Sequence, residues 1–137
     1  MAAMDTIVMV CGSPGWVDAQ PVEARLTEAF ERVGRQHLVV IHGDGAGVDR
    51  FASDWCDRWH VTHKRFDTAW HRHGLTSVQH RNAEMLDFLA EQRKDMGAAV
   101  ELAVFRLPDS RSSEDLDRTL RLAKGQRLTG HVVKPAA

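Results

Sequence analysis

The sequence has little of what marks a secreted, membrane-bound or nucleic-acid-coating protein. It holds only two cysteines in 137 residues, Cys11 and Cys56, each inside an apolar run and without metal-type spacing. That pattern reads as buried, reduced thiols. No stretch approaches the ~20 consecutive apolar residues needed to span a bilayer. The first apolar run, TIVMVC, is only strand length and follows acidic Asp5, unlike a secretory leader. These absences set the expectation of a cytoplasmic setting with no membrane partner. Charge of one sign is lacking as well: 18 basic against 19 acidic residues give a formal net charge of -1. A chain that coats nucleic acid normally carries a basic excess or a concentrated basic patch. There are no internal repeats and no low-complexity linker, so residues 1–137 are expected to form one domain. With 43% hydrophobic residues, one core needs no staples. At this length a fold buries roughly two-thirds of the surface of its unfolded chain.

What is present is an alternation of strand-like and helix-like segments. Ile7 to Cys11 is a short apolar run rich in β-branched residues that stops at Gly12-Ser13-Pro14-Gly15, as a buried strand meeting a turn does. Pro21 suits a first helical turn, and Leu26, Ala29, Phe30 and Val33 keep helical spacing up to Gly34. Leu38 to Ile41 predicts a second strand. Val48, Phe51, Ala52, Trp55, Cys56 and Trp59 then form the clearest amphipathic stripe in the chain. VTHKRF predicts a weaker third strand, and Asp67 to Gln79 is irregular, rich in Trp, His and Gly. A helix is predicted from about His80 to Lys94, a strand at VELAVF (100–105), a helix carrying Leu116, Leu120 and Ala123, and a last strand at HVV. Alternation of this kind implies a parallel sheet with helices on both faces. The expected fold is a Rossmann-like α/β three-layer sandwich with a mostly parallel five-stranded sheet. Ligands in such sheets bind beyond the carboxyl ends of the strands.

Three loops leave those ends: 12–15, 43–47 and 108–113. The second belongs to HGDGAGVDR (42–50), in which Gly43, Gly45 and Gly47 stand directly before the amphipathic helix. Glycine lets a ligand approach the backbone closely, and the free N–H groups and dipole of a helix start favour an anion. A phosphate cradle and a plain strand-to-helix turn both satisfy this pattern. The spacing is neither the P-loop nor Gly-x-Gly-x-x-Gly. Asp49 would complement the helix dipole or take ribose hydroxyls.

CGSPGWVD (11–18), HGDGAGVDRFASDW (42–55), FDTAWHRHG (66–74) and HRNAEML (80–86) occur in this order. With these blocks the chain resembles the YspA-like branch of the SLOG superfamily over roughly residues 5 to 133. These are Rossmann-like domains related to the LOG phosphoribohydrolases and to the DprA core, common in bacterial and phage genomes. The resemblance implies a binder or processor of nucleotide-derived small molecules. It assigns Gly12 and Ser13 to the first loop, and Gly43, Ala46, Gly47 and Asp49 to the second. Arg81 and Asn82 would head a helix facing the same cleft. LOG relatives carry a Pro-Gly-Gly-x-Gly-Thr loop followed by a glutamate that acts on the N-glycosidic bond. This chain reads Pro108-Asp-Ser-Arg-Ser-Ser-Glu-Asp115 there, with Ser112-Ser113 in place of Gly-Thr and Leu116 at the glutamate's offset. Two serines before a helix still cap it and bind an anion through their hydroxyls.

The candidate ligand-binding residues are therefore Gly12, Ser13, Trp16, Gly43, Asp44, Gly45, Ala46, Gly47, Asp49, Trp70, Arg81, Asn82, Ser112 and Ser113. Trp16 and Trp70 are candidates for base stacking, whereas Trp55 and Trp59 lie on the apolar stripe and are expected in the core. Asp49 and Glu114 are the catalytic candidates. The histidines at 60, 63, 71, 73 and 80 have no Asp, Glu or Cys completing a ligand set, so no metal is expected, and no other cofactor is implied. His42 flanks the second loop and is open to a titrating role. Arg118 and Arg121, with Glu114, Asp115 and Asp117 upstream, read as a charge-laced exposed face. The leading expectation is a sensor or sequestering domain for a nucleoside monophosphate, ADP-ribose or nucleotide sugar. The alternatives are an N-glycosidic hydrolase and, less favoured, DNA binding. The expected partner is a nucleotide-type small molecule, and a homodimer is compatible with the sequence.

Overall fold

The computed structural model of the chain describes residues 5–108 and 113–135, without the side chains of Leu75 and Ser113. Five strands, β1 (Thr6–Gly12), β2 (Leu38–His42), β3 (Thr62–Arg65), β4 (Ala99–Phe105) and β5 (Gly130–Val133), alternate with helices. The main helices are α1 (Ala19–Val33), α2 (Val48–Trp59), α4 (Ser77–Met96) and α5 (Ser113–Gly125), with a single-turn α3 (Trp70–His73). The sheet runs β3-β2-β1-β4-β5, and every pairing is parallel. The strand order reverses between β1 and β4, which makes the carboxyl ends of those two strands the natural crevice.

Both faces of the sheet are buried, as expected of parallel strands covered by crossover helices. Val8 and Val10 of β1 point to one face, where they pack with Val40, Ala103 and Phe105 against Leu26 of α1 and Trp55 of α2. Ile7, Met9 and Cys11 point the other way, with Ile41, Leu102 and Val104, against Met85 and Leu89 of α4 and Leu116 and Ala123 of α5. The period of two in β1 therefore divides one short run between two cores. Helix α1 is started by Asp18, whose carboxylate accepts from the amide of Gln20 at 3.0 Å, and stopped by Gly34 at φ 85°.

Two local expectations are corrected. Trp59 ends the α2 stripe but is 52% exposed, because the helix stops at this residue and its ring only leans on Phe30, 6.0 Å between centroids. Helix α4 begins at Ser77 rather than His80. The hydroxyl of Ser77 donates to the carbonyls of Gly74 at 2.6 Å and Ala69 at 3.3 Å, folding the irregular segment into the helix start.

Candidate functional site

The loop after β1 is fastened to the end of β4. Ser13 donates its amide to the carbonyl of Phe105 at 2.9 Å, and its hydroxyl accepts from the amide of Leu107 at 2.9 Å. Gly12 lies so close to its neighbours that a Cβ there would sit 2.5 Å from Val48 and 2.7 Å from the Phe105 carbonyl. Trp16, expected as a stacking surface, is 2% exposed. Its ring packs edge-on against Phe105, and its indole N–H donates to the Asp18 carbonyl at 2.6 Å. It belongs to the core beneath the loop.

The glycine loop after β2 does hold an anion, and that anion is the chain's own. Asp49, in the first turn of α2, turns its carboxylate back so that Oδ1 accepts from the Gly43 amide at 2.9 Å and Oδ2 from the Gly45 amide at 3.1 Å. Two donors expected to be open to a phosphate are thus engaged. Gly47 has φ 76° and ψ -122°, a region reserved in practice for glycine, and a Cβ there would meet the Trp16 carbonyl at 2.8 Å. This conformation lets the chain enter α2 directly beneath the first loop. His42, just before the loop, is buried. Its Nδ1–H donates to the Gly43 carbonyl at 2.8 Å, leaving Nε2 to accept from His63 Nδ1 at 2.8 Å. Burial pushes its pKa below the usual histidine range, against the pull of the Gly43 carbonyl. His42 is a structural link between the glycine loop and β3.

Arg81, on the first turns of α4, is the hub. Its Nη1 donates to Asp44 Oδ1 at 3.2 Å and Thr68 Oγ1 at 3.0 Å, and lies 3.7 Å from Asp49 Oδ2. Its Nε and Nη2 donate to Asn82 Oδ1 at 3.3 and 3.1 Å. Asn82 in turn donates through Nδ2 to Thr119 Oγ1 of α5 at 3.1 Å. The guanidinium lies so close to the loop that only glycine fits at position 43: a Cβ there would stand 2.5 Å from its central carbon. Asp44 holds the segment after β3, accepting from the Thr68 amide at 2.8 Å and from its hydroxyl at 2.5 Å. Burial works to raise the Asp44 pKa. The hydrogen bonds from Thr68 and the Arg81 guanidinium outweigh it and hold the carboxyl below its ordinary value.

These groups line a cleft of about 360 Å³ whose walls come from the ends of β1, β2 and β3 and the starts of α4 and α5. Its apolar lining includes Cys11, Pro14, Trp70, Val78 and Leu116; its charged lining is Asp44, Asp49, Arg81 and Asp115. Three carboxylates thus face one guanidinium that is already paired. Burial, reinforced by the Asp49 charge and opposed by Arg81, pushes the Cys11 thiol up to about 12, so it presents no nucleophile. Among the described residues, no three His, Cys, Asp or Glu side chains gather as a metal site.

Of the sequence candidates, Gly12, Asp44, Gly45, Ala46, Asp49, Trp70, Arg81 and Asn82 come together on this cleft. Trp70 is 57% exposed there. Gly43 sits behind Arg81, and Gly47 and Ser13 shape the loops rather than face the cavity. Glu114 is exposed and is not part of the lining. Ser112 and the side chain of Ser113 lie outside the described residues. Sequence reasoning missed Thr68, Thr119 and Asp115 as members of the site. Asp115 lines the cleft and accepts from Gln79 Nε2 at 2.9 Å. Its position one residue before the apolar Leu116 was the available signal.

No helix among the described residues is long and apolar enough to cross a membrane. No curated protein sequence matches the chain. Among solved structures, a predicted subunit of tRNA methyltransferase from Methanocaldococcus jannaschii is similar at 13% identity and a TM-score of 0.40, over 95% of this chain and 67% of that one. The family model of the YspA, cpYpsA-related SLOG family matches residues 6–73. That stretch holds β1 to β3 and both glycine loops, while the Arg81–Asn82 block lies beyond it and joins the site by geometry alone. The chain belongs to the YspA, cpYpsA-related SLOG family.

Proposed function

We propose that the cleft binds the nucleoside portion of a nucleotide-derived small molecule, so that the domain senses or sequesters that ligand. One observation carries this reading: a concave, partly apolar cavity at the switch point of the sheet, rimmed by the exposed Trp70 and floored by carboxylates and a fixed arginine. Its volume of about 360 Å³ falls in the ~300–1,000 Å³ range of small-molecule sites. Carboxylates accept hydrogen bonds from sugar hydroxyls and base amino groups, and an aromatic face at the rim offers stacking to a base. Asp115 is the foremost acceptor, because only its Oδ1 is engaged among the described residues. Asp44 and Asp49 already accept from Thr68, the loop amides and Arg81, so they fix the floor and contribute their remaining lone pairs. Titration calorimetry with the ribonucleosides, AMP, ADP-ribose, NAD and cyclic nucleotides tests the proposal. Saturable heat with at least one of them supports it. No heat with any, at protein concentrations adequate for micromolar affinity, contradicts it.

The same free oxygen of Asp115 favours one second reading, cleavage of an N-glycosidic bond. Such chemistry needs an acid, base or charge stabiliser at the anomeric carbon, and Asp115 is the carboxylate on the cleft wall least committed to the fold. Chromatographic assay for released base decides it. Turnover that disappears in Asp115→Asn while binding persists supports cleavage; binding without released base leaves the domain as a sensor.

A further inference from the structure

On the far side of the Gln79–Asp115 hydrogen bond from the cleft lies a second, open groove. Its walls are Thr76, Gln79, His80 and Ala83 from α4 and the segment before it, and Arg118, Arg121 and Leu122 from α5. Asp115 faces the cleft and Gln79 faces the groove, and their contact of 2.9 Å is the wall between the two. The two sides differ in charge. The cleft sets Asp44, Asp49 and Asp115 against Arg81, whose guanidinium is spoken for. In the groove, neither Arg118 nor Arg121 forms an ion pair with any described residue. Of the acids one turn before them on α5, Glu114 is exposed and in no ion pair with a described residue, Asp115 accepts from Gln79, and Asp117 is bound by Arg106 at 2.6 Å while its charge also acts on Arg121.

A nucleotide seated in the cleft therefore meets repulsion for its phosphates at the glycine loop. That loop's Gly43 and Gly45 amides are filled by Asp49, and Asp44 stands beside them. The unpaired cations are next door. Arg118 and Arg121 are three residues apart on one helix face, so their side chains are neighbours, and guanidinium forks suit the oxygens of phosphate.

We propose that the α4/α5 groove is the phosphate subsite of this protein. It takes the di- or oligophosphate tail of a ligand whose nucleoside end occupies the cleft, and the tail passes on the Gln79 side of the Gln79–Asp115 contact, clear of the Asp115 carboxylate. This inference rests on the cleft reading above.

The test uses the intact chain labelled with nitrogen-15. It is titrated with the four ribonucleosides and their 5′-diphosphates, in wild type and in an Arg118→Gln/Arg121→Gln double variant. Both substitutions lie on an exposed helix face, and an unchanged amide spectrum verifies the fold. The backbone amides of Gly45 and Ala46 report on the cleft; the Arg118 and Arg121 Nε signals report on the groove. The expected result is a diphosphate that binds about tenfold more tightly than its nucleoside, through added charge-assisted hydrogen bonds. It shifts both arginine signals, and its advantage shrinks with added salt. In the double variant the nucleoside binds unchanged and the diphosphate falls to the same affinity. A diphosphate no tighter than its nucleoside, or an advantage that survives in the double variant, overturns the subsite and leaves the cleft reading standing. Amides of the cleft that respond to none of the eight compounds overturn both.

Discussion

The carboxylate of Asp49 lies 2.9 Å from the amide nitrogen of Gly43, six residues upstream and across the turn that leads into α2. Together with the bond to Gly45 at 3.1 Å, this contact closes the glycine loop on itself and sets Arg81 beside it at 3.7 Å. The loop has the form of an anion cradle and is already occupied. With the loop occupied, the cleft is acidic and its arginine is fixed, while the neighbouring groove carries Arg118 and Arg121, which form no ion pair with a described residue.

Removing the carboxylate leaves two amides without their acceptor and Arg81 with one counter-charge fewer. Asp49→Ala is expected to lower stability by about 3 kcal/mol, the scale for breaking a buried charge pair. Asp49→Asn keeps one amide acceptor and is expected to cost clearly less. Urea unfolding of the three proteins measures the difference; equal stability of wild type and Asp49→Ala would remove the self-capped loop from the account.

Gly47 combines φ 76° with a Cβ position 2.8 Å from the Trp16 carbonyl. Gly47→Ala is expected to cost at least about 2 kcal/mol from backbone strain alone, with a further penalty as the first loop shifts. Gly34 has φ 85° but open space around its Cβ position, so Gly34→Ala carries strain only. A thermal unfolding series in which Gly34→Ala is the more damaging substitution contradicts this packing.

Asn82 spans Arg81 and Thr119 with both ends of its amide. Asn82→Ala leaves two guanidinium donors without their acceptor and takes away the bond into the buried Thr119 hydroxyl, which still donates to the Asp115 carbonyl at 2.9 Å; it is expected to destabilise by about 2 kcal/mol. Thr119→Val removes the far acceptor of Asn82 together with the bond to the Asp115 carbonyl, leaves Arg81 and Asn82 Oδ1 joined, and is expected to cost about 1 kcal/mol. Ligand affinity is expected to fall in both variants, more in Asn82→Ala, because Arg81 loses its orientation. A double-mutant cycle showing simple additivity contradicts the chain of contacts.

Asp44 has a folded pKa held below its ordinary value of 3.8. On acidification the unfolded state takes up this proton first, so the stabilisation is present above pH 3.8 and is lost as pH falls through the folded value. The wild type's advantage over Asp44→Asn in urea unfolding is therefore expected to hold near pH 6 and to shrink below pH 4. An advantage that grows on acidification has the wrong sign for this carboxylate.

Much of the fold was legible in local pattern. Short β-branched runs ending in glycine marked β1 and β2, and the order of elements fixed the parallel sheet, because a crossover connection leaves few other arrangements. The cleft's location followed from the two glycine loops at strand ends. Partnership was not legible. Thr68 meets Asp44 across 24 residues and Asn82 meets Thr119 across 37, and no local periodicity encodes such pairs. For the same reason the sequence showed the glycines of the loop but not that Asp49 would fill it. Trp59 was misread because an apolar residue at the right helical phase still needs neighbours to cover it, and at the end of α2 its ring leans on Phe30 and stays 52% exposed. Trp16 was misread in the opposite sense: a tryptophan in a Gly-Pro loop can be the plug that packs the loop down.

Entry of a nucleoside into the cleft between Trp70, Arg81 and Asp115 is the event on which the proposed ligand binding depends. It is tested most directly by the amide and indole spectrum of the intact protein during titration with ribonucleosides and ADP-ribose. Saturable shifts of the Trp70 indole and of the Gly45, Ala46, Asn82 and Asp115 amides are expected with at least one compound, while the Trp59 indole on the opposite layer stays still. Shifts confined to other surfaces, or none in the cleft with any compound, would contradict it.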